Sequence, residues 1–222
     1  MLVDEKYYQV IPKKSISEKI TIHARDIMYH DFLKLCAPTP ESTVLDFGAS
    51  DVVGDAANVL ERNYSYPEKV TAVGLGAGDA FKKEYPLMSY VQITANSPLP
   101  FEDKHFDIVS SNAVLEHVGS AENQRFFIAE AARVGKQVFL SVPNKMFPVE
   151  HHTAIPLLHW MPRTFRLACQ AFKKTYWAEP KNLILMSRDY LDTLVPHGLN
   201  YTISYSGIKI GRFSSNIVLH IY

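Results

Sequence analysis

The 222-residue chain predicts an α/β fold, a mostly parallel seven-stranded sheet with helices on both faces and an antiparallel last strand. Three observations carry this. Five short apolar runs alternate with helical or turn-rich stretches between residues 43 and 142, the pattern of a parallel sheet covered on both sides. The first run, Val44–Phe47, passes straight into the small residues Gly48-Ala49-Ser50. Two late runs, Asn200–Ile208 and Arg212–Tyr222, flank a glycine-containing turn and read as a hairpin, which sets one late strand antiparallel to its neighbours.

Taken in order, residues 1–14 show no clear period. Ser15-Ile-Ser-Glu18 is a capping-box pattern, and behind it Ile20, Ala24, Ile27, Met28, Phe32 and Leu35 recur at helical spacing until Pro38 and Pro40. Residues 1–40 are thus a helical N-terminal extension. The five strands are Thr43–Phe47, Lys69–Gly74, Tyr90–Ile93, Phe106–Ser111 and Gln137–Val142. The clearest helix spans Ala121–Val134, with Phe127, Ala131 and Val134 on one face and Glu122 near its N-terminal end. Residues 144–187, rich in Pro, His, Trp and basic residues, form a substrate lid or cover, and a short helix follows near Arg188–Leu194. Nothing marks a domain boundary, so residues 1–222 are read as one domain.

Composition narrows the function. Lys plus Arg equals Asp plus Glu at 23 each, which gives no electrostatic reason to expect nucleic acid or an anionic membrane as partner. The opening residues lack the order of a secretory signal, and no apolar stretch reaches the roughly 20 residues of a membrane span. Cys36 and Cys169 form no CxxC pair and read as small apolar fillers. A cytoplasmic protein is expected; the oligomeric state is not legible.

In open parallel sheets ligands bind beyond the strands' carboxyl ends, which makes the turn after Val44–Phe47 the first candidate site. There Val44-Leu-Asp-Phe-Gly-Ala-Ser50 resembles the first motif of the class I S-adenosylmethionine-dependent methyltransferases, V-L-D-x-G-x-G. Leu99-Pro-Phe-Glu-Asp-Lys-His-Phe-Asp107 is similar to that family's entry into its fourth strand, and Ser-Asn-Ala-Val-Leu-Glu-His-Val118 to the family's segment just past that strand. The resemblance spans Val44–Pro143. It implies a Rossmann-like fold, S-adenosyl-L-methionine as cofactor and methyl transfer to a small-molecule acceptor. It also implies a cofactor site drawn from Asp46, Gly48, Ser50, Asp51, Gly74, Asn96, Ser97, Asn112 and Glu116. Three positions depart from the pattern. Ser50 replaces the second motif glycine, Val73-Gly74 stands where a ribose-binding acid usually ends strand two, and Ala95 stands where an Asp usually meets the adenine. Losing the ribose carboxylate removes a charge-assisted hydrogen bond worth about 1.5–3 kcal/mol.

His117, after strand four and titrating near neutrality, is the candidate general base. His151, His152, His159 and Trp160, after strand five, are candidate acceptor-binding residues. With Glu150 these histidines also raise a metal site. Adjacent His151 and His152 do not share one side of a regular element, however, and no H-E-x-x-H occurs, so no metal is expected. Two alternatives remain open. One is a non-catalytic relative with a degraded cofactor site, motivated by Gly74 and Ala95. The other is an NAD-type oxidoreductase resting on Gly74-Leu-Gly-Ala-Gly78.

Overall fold

Val44-Leu45-Asp46-Phe47 is the axis on which the architecture is organised. In the computed structural model, which describes residues 16–51, 53 and 57–222, it forms β1 (Val44–Phe47), with β2 (Val70–Gly74) and β4 (Phe106–Asn112) paired parallel on either side. Adding β3 (Ser89–Gln92), β5 (Gly135–Pro143), β6 (Tyr201–Ile210) and β7 (Phe213–Ile221) gives one seven-stranded sheet, ordered β3-β2-β1-β4-β5-β7-β6. Only β7 runs against the rest: it is antiparallel to β5 and to β6. Each strand expected from the sequence is present to within two residues at either end. The capping-box residue Ser15 lies outside the described residues.

The alternation of side chains along β1 divides the interior. Leu45 and Phe47 face one core with Val109, Val138 and Leu219, closed by α4 (Ala121–Val134) and α6 (Arg188–Asp192) through Phe127, Ile128 and Leu191. Val44 faces the other, with Ala72, Ile108 and Val218, closed by α1 (Ile16–Cys36), α2 (Val59–Asn63) and α3 (Asp79–Glu84) through Phe32, Leu60 and Phe81. Phe47 stacks on Phe127 with ring centroids 3.9 Å apart, an aromatic contact worth about 0.5–1.5 kcal/mol beyond its burial. Cys36 and Cys169 are buried and unbridged, as small fillers would be. Among the described residues no helix is long and apolar enough to cross a membrane.

Three clamps explain why the segment before β4 reads so clearly in sequence. Arg133 on α4 donates to Leu99 O at 3.1 Å and Phe101 O at 2.8 Å, and pairs with Asp103 at 3.0 Å. Its partner Glu130, held in a two-pronged pair at 2.8 Å, accepts from Leu99 N at 2.9 Å. Lys104 then donates to the α4 carboxyl-end carbonyl of Ala132 and to Gly135 O, at 2.7 and 2.9 Å. Asp107 accepts from the Thr43 N–H and hydroxyl at 2.9 and 3.0 Å, which fixes the start of β1 against β4.

Residues 144–187 build a cover with a small core of its own: Ile155, Phe165, Ala168, Cys169, Trp177 and Leu183, the last turn of α5 (Pro162–Ala171) included. Gln124, fully buried on α4, donates to Leu115 O and accepts from the Tyr190 hydroxyl. It thereby ties the turn after β4 to α6, directly beneath that cover.

Candidate functional site

The β1 turn is rigidly seated. Gly48 N and Ala49 N both donate to Val73 O, at 3.0 and 2.9 Å, and Ser111 Oγ donates to Phe47 O at 2.7 Å. Gly48 has φ +106°, and a Cβ there would stand 2.5 Å from Val114 Cγ2, so only glycine closes this turn without displacement. Ser50 is buried, and its carbonyl accepts from Asn58 Nδ2 at 3.3 Å. Asp51 reaches across to the loop that follows β2. Its carboxylate accepts from Gly78 N and Phe81 N, both at 3.2 Å, and so caps α3.

Asp46 shares a hydrogen bond with Glu61 of α2. Burial, and then the Glu61 charge, raise the Asp46 carboxyl well above the carboxylate range, and burial raises Glu61 as well. The Arg25 charge on α1 opposes this, and its Nη1 donates to Ala57 O at 3.2 Å. Glu61 keeps one buried oxygen, Oε1, without a hydrogen-bond partner. That acceptor fits an ammonium donor such as the amino group of S-adenosylmethionine.

The ribose side is built differently. A Cβ on Gly74 would stand 2.5 Å from both Ala49 O and the Tyr90 hydroxyl, so no side chain, acidic or otherwise, fits there. Tyr90 donates to Gly76 O at 3.1 Å, and its ring packs where a Gly78 Cβ would fall, 2.3 Å away. Asn96, in left-handed conformation at φ +55°, and Ser97 lie in the turn after β3, with Asn96 exposed. The Gly74–Gly78 loop opens a helix of only six residues after the second strand, unlike a dinucleotide loop.

Beyond β4 the chain gathers its titratable groups. Asn112 Oδ1 accepts from Ser141 Oγ at 2.6 Å. Ala113 then turns left-handed, at φ +57°, into a single 3-10 turn, Leu115–His117. Glu116 is 1 % exposed, and neither carboxylate oxygen has a hydrogen-bond partner; burial pushes its carboxyl up to about 7. His117 Nδ1 lies 2.8 Å from Asn182 O, so that nitrogen carries the proton and Nε2 carries the lone pair. Burial, and then neighbouring His152, lower His117 to about 3.

His152 Nδ1 lies 2.8 Å from Glu150 Oε1, and its Nε2 lies 3.1 Å from His117 Nε2. Glu150 also accepts from His152 N, Thr153 N and Thr153 Oγ1, at 3.0, 2.6 and 2.5 Å. Against its burial, the bonds from His152 and Thr153 hold it down to about 2. Glu150 in turn raises His152 against the effect of burial. The Trp177 ring packs 4.8 Å from His152 and 6.0 Å from His117, and Glu116 Oε1 stands 3.8 Å from His117 Nε2.

His151 is exposed, its ring 5.5 Å from Phe147. Buried His159 holds the cover through Nε2, 2.9 Å from Phe147 O, and Trp160 packs 6.0 Å from Phe213. Glu116, Glu150, His151, His152 and His159 all reach a small cavity at the carboxyl end of β5, beside Asn144. The structure thus brings His117, Glu116 and His152 together, and leaves Trp160 outside. Sequence reasoning did not single out Glu61, Tyr90, Asn182 or Trp177; each acts through a partner on another element, and no local pattern marks them.

Residues 45–138 match the family model described as a methyltransferase domain. No curated protein matches the chain. Among solved structures, a Pyrococcus horikoshii protein aligns with TM-score 0.62 at 13% identity, covering 97% of each chain. A SAM-dependent methyltransferase of Aquifex aeolicus aligns at 0.55 and 14%, covering 98% of this chain and 96% of its own. One from Methanosarcina mazei aligns at 0.56 and 15%, covering 87% and 94%. At such identities these neighbours speak for the fold, and the matched domain is laid over β1 to β5 and the Gly48 turn. Residues 45–138 are thus a methyltransferase domain on a fold shared with S-adenosylmethionine-dependent methyltransferases, and S-adenosylmethionine is the cofactor that domain implies.

Proposed function

We propose that the protein methylates a small-molecule acceptor held between the β4 and β5 carboxyl ends and the 144–187 cover. The observation that carries this is the His117–His152 pair, set one turn beyond β4 and on the same sheet edge as Gly48. When bound, S-adenosylmethionine supplies an electrophilic methyl carbon on a sulfonium; the protein's work is alignment, dryness and proton handling. Gly48, Asn112 and the Asp46–Glu61 pair hold the cofactor, while Ser50 and Asp51 shape its turn from behind. Gly74, Asn96 and Ser97 border the adenosine. His151, His159 and the cover enclose the acceptor.

His117 is the proton acceptor, acting with His152: its Nδ1–H is fixed on Asn182, and the two facing Nε2 atoms have one position between them for a proton. Glu150 stabilises that proton through His152 Nδ1. With a formal net charge of zero, the chain offers no electrostatic reason for a nucleic-acid acceptor, and two unbridged cysteines suit a cytoplasmic setting.

Calorimetry with S-adenosylmethionine and S-adenosylhomocysteine tests the cofactor site; no binding at millimolar concentration would sink methyl transfer. His117→Ala is expected to cut turnover about 10²–10⁴-fold while cofactor affinity changes little. Equal losses in both would remove the base role. A specific observation favours a second reading, a binding protein without turnover: Tyr90 and Ala49 O occupy the room beside Gly74 where a ribose-binding acid would stand. Tight adenosyl-ligand binding with no methyl transfer to any acceptor in a small-molecule panel would select it.

A further inference from the structure

The geometry points to a divalent transition-metal site formed by Glu116 Oε, His117 Nε2 and His152 Nε2. Three independent features converge on it. The ligand atoms of these residues all lie within 4.8 Å of one another, and the two imidazole nitrogens are 3.1 Å apart. At metal–nitrogen distances of about 2.0–2.1 Å, that separation subtends roughly 100° at a shared ion, close to a tetrahedral angle. Glu116 Oε1, 3.8 Å from His117 Nε2, stands beside the same point.

The outer partners are those that metal-binding histidines use. His117 gives its Nδ1 proton to a backbone carbonyl, Asn182 O at 2.8 Å, and His152 gives its own to a carboxylate, Glu150 at 2.8 Å. Both Nε2 lone pairs are thereby aimed at one point, and the Glu150 carboxylate raises the donor strength of His152. Two neutral imidazoles in this arrangement oppose lone pair to lone pair at hydrogen-bond distance, and only a cation between them, a proton or a metal ion, resolves the contact.

The third feature is Glu116. Its carboxylate is buried with neither oxygen hydrogen-bonded, a state that costs several kcal/mol for an ion unless a counter-charge arrives. A divalent ion supplies that charge. Two imidazoles and one carboxylate form the donor set of catalytic zinc and non-haem iron sites; calcium and magnesium favour all-oxygen sets. Glu116 and His152 also line the small cavity beside Asn144, which places that cavity next to the ion. The acceptor class this favours carries a metal-binding oxygen. That last point rests on the methyl-transfer reading; ion binding does not, and an ion on His117 Nε2 takes the place of the proton there, so in the metal-bound protein His117 is a ligand and not the proton acceptor.

The test is made on chelator-stripped full-length protein with Zn²⁺ alone by calorimetry and Co²⁺ by visible absorption. One ion per chain is expected, with the intense Co²⁺ bands of four- or five-coordination. His152→Gln and Glu116→Gln should each weaken binding at least 100-fold, and Glu150→Ala, which removes only the outer partner, about 10–100-fold. His197→Ala, an exposed histidine distant in sequence, should change nothing. Wild-type protein that takes up no Zn²⁺ at micromolar concentration, or binds it equally well after His152→Gln, overturns the proposal. If His152→Gln fails to fold by circular dichroism, the wild-type Co²⁺ spectrum decides, because weak six-coordinate bands would likewise overturn it. S-adenosylmethionine titrations on the same samples separate the two claims. Cofactor binding without metal refutes this site alone, whereas metal binding without cofactor supports it and sinks methyl transfer.

Discussion

Replacing Gly48 with alanine perturbs the one turn on which fold and cofactor site both depend. The new methyl would meet Val114 Cγ2 at 2.5 Å and Cγ1 at 2.9 Å, while the residue remains at φ +106°. The backbone conformation costs an alanine about 1–3 kcal/mol, and overpacking against a side chain costs a further ~1–3 kcal/mol. Taking about 3–4 kcal/mol for the sum, and roughly 2–4 °C per kcal/mol for a chain of this size, Tm should fall by about 6–16 °C. The two costs are separable. Val114→Ala in the Gly48→Ala background removes the clash and leaves the dihedral, so the double mutant should recover about 1–3 kcal/mol as coupling energy in a thermal or urea cycle. Cofactor affinity, measured by calorimetry on the folded fraction, should stay depressed in both, because the turn cannot regain its shape. A Gly48→Ala protein that melts within about 1 °C of wild type, or a cycle with no coupling, would refute the account of this turn.

Three further perturbations follow from the same geometry. Arg133→Ala should destabilise by about 2–4 kcal/mol, since it strands the Glu130 carboxylate and frees the carbonyls of Leu99 and Phe101; chemical denaturation measures it, and a loss under about 0.5 kcal/mol would contradict the clamp. Glu130 is held below its ordinary range by Arg133, and Asp107 by Lys136 and Thr43. Their contribution is therefore complete above the unfolded carboxylate pKa, near about 4, and is lost as pH falls through the lower folded values. Glu130→Gln and Asp107→Asn should flatten the decline in Tm on acidification from about pH 6 to pH 3, and an unchanged slope would count against both pairings. Asp46 has the opposite sign: its raised pKa makes it a cost that appears once pH exceeds the unfolded value and grows until the folded value is passed. Asp46→Asn should thus raise Tm at neutral pH while weakening S-adenosylmethionine binding, a trade visible by running melts and calorimetry on one preparation.

The parts legible in the sequence are those that leave a contiguous run of residues, whatever the range of the contacts behind it. Ala121–Val134 is read to the residue because its signals are local: Ser120 accepts from Asn123 N at 3.1 Å to start it, and its apolar face repeats at helical spacing. The Leu99–Asp107 segment is legible because Arg133, Glu130 and Lys104 require that particular run of backbone groups and acids. The site is less legible because its partners meet only after folding. Asp51 looks like a cofactor contact until α3 comes down on it, and the room expected for a ribose acid at Gly74 is filled by Tyr90 from β3. His117 and His152 are 35 positions apart, and the neighbour relation that discouraged a metal reading, His151 beside His152, ceases to matter once His152 pairs with His117 and not with His151.

These illegible places are also the ones where local rules are broken. Ala113 takes a left-handed turn without being glycine, Glu116 is buried without a hydrogen bond, and Asp46 is buried against Glu61 with its carboxyl pushed up. Each costs free energy that packing around β1, β4 and β5 must offset, and a chain selected for stability alone would replace all three. They share one location, the carboxyl edge of the central strands under the 144–187 cover. Three unrelated departures from local preference at one edge of one sheet are what a site built to meet cations produces: an ammonium at Asp46 and Glu61, and a proton or metal ion between His117 and His152. The formal net charge of zero does not report this, because it sums over the whole chain and says nothing of how charge is placed at one edge.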